Sequence, residues 1–351
     1  MTRWAAGLLA ILAAVAINGC TRAPARPLAP AVERPSAVLP PVRLPQDEGP
    51  HDDLTEWWYY TGHLDAADGR TWGFELVVFQ VLRNAMPPLY LSHFAITDIQ
   101  RGRFTYAQRR TQGPQPQPER GFALDVDGWR MGGADGSDRI SASMPDYAID
   151  LSLESTKPPA LHGGGLVTFG VAGDSYYFSR TNMRISGTIS DPSGGTPVSG
   201  VAWFDRQWGN FLVLGGGWDW FSMHLDDGSE LMLNLIRDDT HQVRMAYGTV
   251  VERDGTYAHL DAEAFEVSPR GQWVSPHSGA AYPGGWEARV PSRGLSLTIE
   301  PLLKDQELRT GQTTGNTYWE GACRVVGNRA GWQVTGRAYV ELTGYAPAAS
   351  R

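Results

Sequence analysis

The sequence predicts an all-β protein whose body contains two copies of one β-domain. Short apolar or alternating segments of strand length, such as residues 74–81, 231–236 and 295–299, are separated by glycine-containing turn signals, and no long window has the periodicity of an amphipathic helix. The 41 Gly and 24 Pro residues, with a charged fraction of 19%, also disfavour long solvated helices. A chain of 351 residues is long enough for two domains of about 150 residues each.

The charge balance argues against nucleic acid as a partner. The chain carries 30 Lys and Arg residues against 38 Asp and Glu residues, for a formal net charge of -8. Binding to a phosphate backbone normally depends on a surplus of basic residues. The 13 Trp, 13 Tyr and 11 Phe residues are a more informative feature, since core packing explains most of them and the rest are expected to line an apolar pocket or the cleft between domains.

The first twenty residues resemble the signal of a bacterial lipoprotein. Arg3 precedes an apolar run over residues 4–17, and the run ends at the lipobox-like segment Ile17-Asn18-Gly19-Cys20. The run is too short to cross a bilayer of about 30 Å. The resemblance implies that residues 1–19 are removed and that acylated Cys20 anchors the protein in the bacterial membrane. The alternative is a cleaved secretory signal in which Cys20 has no role.

The residue after Cys20 is Thr21 rather than the Asp associated with inner-membrane retention, so the periplasmic side of the outer membrane is the expected location. Residues 20–45 are rich in Pro and Ala, favour extended conformations and form a tether. The body then divides into two predicted domains, residues 46–209 and 210–351.

The duplication is visible in the sequence. Residues 57–65 align without gaps with residues 218–226, and residues 200–205 align with residues 336–341 near the end of each copy. Each copy has about 130 to 160 residues, a size suited to an up-and-down barrel that holds one small ligand. A duplicated β-sandwich is the alternative.

Six segments carry a resemblance to a known family, namely residues 44–51, 56–64, 92–98, 200–209, 318–321 and 339–345. Together they resemble the AttH-like family, which includes carotenoid 1,2-hydratases. The resemblance implies two lipocalin-like barrels in tandem and a hydrophobic ligand of the isoprenoid or polyketide type. The fold alone does not distinguish a catalyst from a carrier.

Standard catalytic signatures are absent from the sequence. There is no nucleophile elbow, zinc-binding helix motif or nucleotide-binding glycine loop. The eight histidines lie far apart, so no metal site and no cofactor are predicted.

Asp205 is the strongest candidate for a catalytic acid. Alternation along a strand places Trp203 and Asp205 on one face and Phe204 and Arg206 on the other. A carboxyl group beside indole rings loses hydration, which raises its pKa and suits it to donate a proton near neutral pH. The resemblance places the hydratases' proton donor at Asp205, with Trp203 at the position of a family Tyr. The family's upstream His-x-Trp segment has no match, because the nearest stretch, residues 176–178, lacks histidine.

Asp205 has a structural alternative as an ion-pair partner or turn anchor, for example with Arg206. Glu56 is a second candidate acid, with a capping or hairpin role as its alternative. His63 and His224 occupy matched positions of the two copies and are expected to serve the fold. The predicted catalytic residues are Asp205, Glu56 and Trp203, and the predicted ligand-binding residues are Trp57, Trp58, Tyr59, His93, Tyr177, Arg206, Trp208, Trp218, Trp220 and Glu320.

Two functions follow from these observations. One is an enzyme that hydrates or cyclises a hydrophobic molecule by acid catalysis, with Asp205 as the proton donor. The other is a lipid-anchored carrier of such a molecule, or an accessory lipoprotein of an ABC-type export system. An enzyme requires Asp205 to be buried and within reach of an apolar cavity, whereas a carrier requires the cavity alone.

Overall fold

The computed structural model describes residues 39–83, 86–169, 172–211 and 216–346. The chain divides into Met1–Pro40, almost all of which lies outside the described residues, and one compact unit, Pro41–Arg351. The predicted signal, the predicted lipid-attachment residue Cys20 and most of the predicted tether therefore fall outside the described residues. Within those residues, no helix has the length and apolar character needed to cross a membrane.

Antiparallel strands form nearly all of the described regular structure, with short 3-10 turns at Gln46–Glu48, Ala262–Ala264 and Pro291–Arg293. The first sheet contains β1 (Thr55–Ala66), β2 (Thr71–Val81), β3 (Leu89–Asp98), β4 (Arg103–Gln112), β5 (Phe122–Val126), β6 (Trp129–Ala134), β7 (Ser137–Met144), β8 (Tyr147–Ser155), β9 (Ala160–Thr168), β10 (Asp174–Asp191) and β11 (Gly194–Gly209).

The remaining strands begin at Gly217. They are β12 (Gly217–Leu225), β13 (Glu230–Arg237), β14 (Val243–Val251), β15 (Tyr257–Asp261), β16 (Glu266–Pro269), β17 (Gln272–Val274), β18 (Ala281–Pro283), β19 (Trp286–Val290), β20 (Leu295–Pro301), β21 (Glu307–Arg309), β22 (Thr317–Arg329) and β23 (Trp332–Thr343). Strands β17 and β18 pair with each other, and the other ten form the second sheet.

The two sheets share one strand order, except that the first sheet has an additional strand, β5, at its end. The first follows β4-β3-β2-β1-β11-β10-β8-β7-β6-β5, and the second follows β15-β14-β13-β12-β23-β22-β20-β19-β16. Each sheet also has one strand outside this order, and the two correspond, because β9 pairs with β10 and β21 pairs with β22. Each sheet curls around its own core, so the prediction of an all-β fold with two lipocalin-like barrels in tandem is confirmed.

Alternation along the strands divides the aromatic residues between two environments. Trp58, Tyr60 and Phe204 belong to the core inside the first barrel, and the second barrel has a core of its own. A third cluster lies between the barrels, where Tyr59 and Trp203 of the first meet Trp220 of the second. The unusual aromatic content therefore serves two barrel interiors and the seam that joins them.

Close backbone approach and ion pairs hold the barrels together. A Cβ atom at Gly73 of β2 would lie 2.5 Å from the Cβ atom of Ala322 in β22, so only glycine permits this packing. The Nζ atom of Lys157 lies 2.7 Å from Glu230 Oε2, and Arg337 forms a two-pronged ion pair with Asp65. The seam is thus a packed and fixed surface.

Candidate functional site

A cavity of about 530 Å³ lies between the two barrels. Its volume is within the range of small-molecule sites, and its wall is mostly apolar and aromatic. Arg237, Asp238 and Arg244 are the charged residues of the second barrel that line it beside Glu341, and the side chain of Arg244 is exposed to solvent. The lining residues include Trp57, Tyr59, Glu75, Val77, Phe79, Tyr177 and Asp205 from the first barrel and Trp218, Trp220, Asn234, Ile236, Met245, Tyr247 and Glu341 from the second.

The position of this cavity differs from one expectation of the sequence analysis. A barrel of this size suits a ligand held in its interior, but aromatic and aliphatic side chains fill the interior of the first barrel. The cavity instead uses the outward faces of β1, β2, β10 and β11, which pack against the second barrel. The expectation that some aromatic residues line the cleft between domains agrees with this arrangement.

Asp205 faces this cavity from β11 and is only 3% exposed. Tyr177 Oη donates a hydrogen bond to Asp205 Oδ2 at 2.6 Å, and Trp203 Nε1 donates one to Oδ1 at 2.6 Å. The hydroxyl of Ser179 also donates to Oδ1. Burial raises the pKa of Asp205 to about 7, although the three donors act in the opposite direction. Near neutral pH the carboxyl therefore exists in both protonation states.

A buried histidine extends the network behind Asp205. His162 Nε2 lies 2.6 Å from Ser179 Oγ, and His162 Nδ1 lies 2.7 Å from Thr249 Oγ1 of the second barrel. Burial lowers the pKa of His162 to about 3, so its ring is neutral near pH 7. A neutral ring that donates from Nε2 supports the Ser179 hydroxyl as a donor to Asp205.

His162 was not predicted as a site residue from the sequence. A family histidine was expected in the segment upstream of Asp205, whereas His162 comes from β9, which pairs with β10 through an irregular register. Only the pairing of β9 with β10 places this ring beside Ser179, and no spacing in the sequence indicates that pairing.

Three further carboxyl groups lie near the cavity, of which Glu75 and Glu320 are buried and Glu341 is partly exposed. Glu341 accepts a hydrogen bond from Trp218 Nε1 at 2.8 Å, and burial followed by the charge of Asp205 raises its pKa to about 7. Glu75 accepts one from Tyr318 Oη at 2.9 Å, and burial raises its pKa to about 8. Glu320 accepts one from Tyr59 Oη at 2.8 Å, and burial raises its pKa well above the usual value.

Neither Glu75 nor Glu341 was predicted as a site residue from the sequence. The sequence contains a signal for Glu341, because the alignment of residues 200–205 with residues 336–341 places it at the position equivalent to Asp205. In the described part of the chain, no Lys or Arg forms an ion pair with any of the four carboxyl groups of Glu75, Glu341, Asp205 and Glu320.

The structure brings many of the predicted site residues together. The cavity wall contains Trp57, Tyr59, Tyr177, Asp205, Trp218 and Trp220. Trp203 lies behind the wall and holds Asp205, and Glu320 holds Tyr59 in the same way. His93 is buried in the seam, where its ring bonds to Tyr318 Oη at 2.7 Å and Thr313 Oγ1 at 2.8 Å without lining the cavity.

Four predicted site residues do not line the cavity, because strand alternation turns them to the inside of the first barrel. They are Glu56, Trp58, Arg206 and Trp208. Glu56, predicted as a second acid, is fully buried and forms an ion pair with Arg206. The Arg206 guanidinium lies 3.9 Å from the ring centre of Trp58 and 5.0 Å from that of Trp208. Arg206 thus pairs with Glu56 and not with Asp205, the pairing considered from the sequence.

No group of three or more metal-ligating side chains occurs among the residues that the structure describes. The arrangement is instead that of an apolar chamber in which uncharged donors surround a carboxyl group with a near-neutral pKa. Such a group can give a proton to a bound molecule and take one back.

Comparisons with known proteins agree with this architecture. The sequence profile of the AttH-like family matches residues 35–345. The crystal structure of a candidate AttH protein from Nitrosomonas europaea is 30% identical, with a TM-score of 0.78, covering 92% of this chain and 100% of that one. The kievitone hydratase of Nectria haematococca, at 17% identity, covers 88% of this chain and 94% of its own with a TM-score of 0.70, and shows the shared fold.

Two relatives with named activities match part of the chain. Kievitone hydratase from Fusarium solani subsp. phaseoli is 27% identical over 210 residues, which are 58% of this chain and 59% of that protein. Dehydratase asqC from Emericella nidulans is 23% identical over 221 residues, 58% of this chain and 60% of that protein. The match thus spans about three-fifths of each relative. With the family profile covering almost the whole body, the chain belongs to the AttH-like family.

Proposed function

We propose that this protein adds water to, or removes water from, a small and largely apolar molecule held between its two barrels. Asp205 is the proton donor of this reaction. The observation that carries the proposal is the position of Asp205, which lines an apolar cavity with a pKa of about 7 and without a cationic partner among the described residues. A carboxyl whose pKa lies near the working pH is suited to general acid catalysis.

The hydration step uses groups that face the cavity. Protonated Asp205 gives its proton to one carbon of an alkene, and the alkene's electron pair forms the new C–H bond. Positive charge develops on the other carbon, where aromatic faces such as those of Trp57 and Trp220 stabilise it. A water molecule attacks that carbon and releases a proton, which leaves a neutral alcohol. Dehydration follows the same steps in reverse.

Two comparisons support this chemistry. The names of the relatives identify one as a hydratase and the other as a dehydratase, and water addition and removal are two directions of one reaction. The chain covers about three-fifths of those relatives, so their chemistry enters here as part of the proposal. Their substrates are not carried over.

A carrier is the second candidate. Its support is the mostly apolar cavity wall, which is sufficient to bind a hydrophobic molecule without changing it. A carrier gives no reason for the three donors that converge on Asp205. This difference favours the enzyme.

The proposal is tested with an organic extract of the cells from which the gene comes. The purified protein is incubated with the extract in water labelled with heavy oxygen, and products are analysed by mass spectrometry. We expect a molecule that gains labelled water or loses water with the wild-type protein and is unchanged with Asp205→Asn. Equal conversion by both proteins removes Asp205 as the acid. Quenching of Trp fluorescence without conversion favours the carrier.

Anchoring and location are separate proposals from the sequence alone. We infer that acylated Cys20 attaches the protein to the periplasmic face of the outer membrane and that an ABC-type exporter is a candidate partner. Mass spectrometry of the mature N-terminus checks the first point. A lipid-modified N-terminal cysteine is expected, and an unmodified N-terminus contradicts the anchor.

A further inference from the structure

The duplication gives Asp205 a counterpart in the second barrel. Asp205 in β11 pairs with Tyr59 of β1, and Glu341 in β23 pairs with Trp220 of β12. Tyr59 and Trp220 occupy matched positions of the two copies, as do Asp205 and Glu341. Both copies thus carry a carboxyl at the same place, and the seam directs both carboxyls into one cavity.

Glu341 differs from Asp205 in how it is held. Asp205 is anchored by three donors, whereas Glu341 accepts one hydrogen bond, from Trp218 Nε1 to Oε2. Its other oxygen, Oε1, has no hydrogen-bond partner among the described residues and is not fully enclosed by protein atoms. A carboxylate oxygen free on the cavity side can accept a hydrogen bond from a water molecule.

Another polar group in the wall also lacks a partner. Asn234 is nine-tenths buried, and its amide nitrogen donates to Tyr247 Oη at 3.0 Å while Oδ1 has no partner. Since Asn234 lines the same cavity, this oxygen is a second acceptor that the protein itself does not satisfy. This oxygen is enclosed by protein atoms, so it is an unsatisfied acceptor within the wall and not a contact for a bound molecule.

The surroundings keep the pair of carboxyls from both ionising. Burial and the charge of Asp205 raise the pKa of Glu341 to about 7, and burial raises that of Asp205 to about 7, so the two carboxyls are expected to hold about one proton between them near neutrality. The titratable groups that interact with Glu341 are Asp205, Glu75, Glu320, Tyr59 and Tyr318. Arg237 and Arg244 also line the cavity and are paired to Asp219 and Asp238.

We propose that Glu341 is the second proton-transferring residue of the site, so that each barrel contributes one catalytic carboxyl. This inference rests on the proposed function. During hydration Asp205 loses its proton to the alkene carbon, and ionised Glu341 takes a proton from the water that forms the new C–O bond. Glu341 then returns this proton through solvent and Asp205 is protonated again, so the protein is unchanged. In dehydration the leaving hydroxyl takes its proton from Glu341 and Asp205 accepts the carbon-bound one.

The first test uses the conversion assay with heavy-oxygen water. We expect Glu341→Gln to lower kcat by about 100-fold or more while ligand quenching of Trp fluorescence persists, and Glu341→Asp to recover part of the activity. Asp138→Asn is the matched control. Asp138 is another buried carboxyl with a pKa raised to about 7, but it lies in the first barrel and accepts from Tyr60 Oη. Wild-type turnover by Glu341→Gln overturns this inference alone, and no conversion by the wild-type protein overturns the proposed function.

The second test needs no substrate. The indole N–H signal of Trp218 in NMR spectra, assigned with Trp218→Phe, reports the ionisation of Glu341 because the two groups are hydrogen-bonded. We expect its titration midpoint to fall in Asp205→Asn, since removing the neighbouring negative charge lowers the pKa of Glu341. An unchanged midpoint contradicts a coupled pair of carboxyls.

Discussion

Glu56 and Asp205 are two buried carboxyls of the first barrel, on the paired strands β1 and β11. Their surroundings differ in whether a cation lies beside the carboxyl. Glu56 faces the barrel interior, where the guanidinium of Arg206 offsets its charge and Gln80 Nε2 donates to it at 2.8 Å. Asp205 faces the seam, where all of its donors are neutral. A carboxyl beside a cation serves as a fixed structural ion pair, whereas one held by neutral donors can exchange a proton near neutral pH.

Strand alternation produces this difference between neighbouring residues. Asp205 and Arg206 are adjacent in the chain but point to opposite faces of β11, so the cation of Arg206 does not reach the carboxyl of Asp205. A shift of one residue in the register of β11 would exchange the two environments. The function proposed here therefore depends on which face of this strand meets the second barrel.

The largest expected effect is the loss of activity in Asp205→Asn. We expect kcat to fall by about 100- to 10,000-fold, because the amide cannot supply the proton. The fold should persist, since the amide oxygen still accepts from Trp203 and the amide nitrogen can donate to Tyr177 Oη. Turnover and circular dichroism measured on the same preparation check this, and a variant that has lost its β-sheet signal does not support the acid role.

A substitution on the other face of β11 is expected to lower the stability of the fold. Arg206→Leu leaves Glu56 buried without its cation, and we expect the free energy of unfolding to fall by about 3 to 5 kcal/mol. Urea denaturation of the wild-type protein and the variant measures the change. A loss below about 1 kcal/mol would contradict the structural role of this ion pair, because effects of that size are typical of solvent-exposed ion pairs.

The pH dependence of stability sharpens the comparison. The pKa of Asp205 in the folded state is about 7, above the ordinary value of 3.8. The contribution of the protonated carboxyl to the free energy of unfolding is therefore complete below about pH 4 and is lost as pH rises through 7. The wild-type protein should therefore lose a few kcal/mol relative to Asp205→Asn over this range, at about 1.4 kcal/mol per pKa unit. Urea midpoints measured across the range check the sign, and a difference independent of pH would refute it.

A smaller effect is expected from Trp203→Phe. This change removes the indole donor to Asp205 Oδ1, and the loss of one hydrogen bond costs about 1 kcal/mol. Because that donor stabilises the ionised form, the pKa of Asp205 should rise and the pH optimum should shift upward. Trp286→Phe is a control, since Trp286 lies in the core of the second barrel. An unchanged or lowered pKa in Trp203→Phe would show that the indole does not tune Asp205.

Local patterns in the sequence were sufficient for the fold class and for one face of the site. Turn signals and the alignment of residues 57–65 with residues 218–226 predicted two equivalent β-domains, and the resemblance to the AttH-like family implied that these domains are barrels. Alternation predicted that Trp203 and Asp205 share a face, and the structure shows this pair hydrogen-bonded. These features depend on neighbours along one strand or on an internal repeat, both of which a single sequence contains.

Contacts between distant strands could not be predicted in this way. The proximity of Glu56 to Trp57 in the sequence suggested a site residue, but the two side chains point to opposite faces of β1. His162 reaches Ser179 only through strand pairing, and Glu341 meets the cavity only because the two barrels pack by their matched faces. Side-chain alternation does not reveal which outward face will be covered by another domain.

The protonation state of Asp205 is the most direct test of this account. Infrared difference spectra between the wild-type protein and Asp205→Asn isolate the carbonyl stretch of this one carboxyl and need no substrate. The account predicts a protonated-carboxyl band that persists in mildly acidic solution and disappears as pH rises through about 7. A band that is lost near the ordinary pKa of aspartate, about 4, would show that Asp205 is already ionised at neutral pH and would contradict its role as the proton donor.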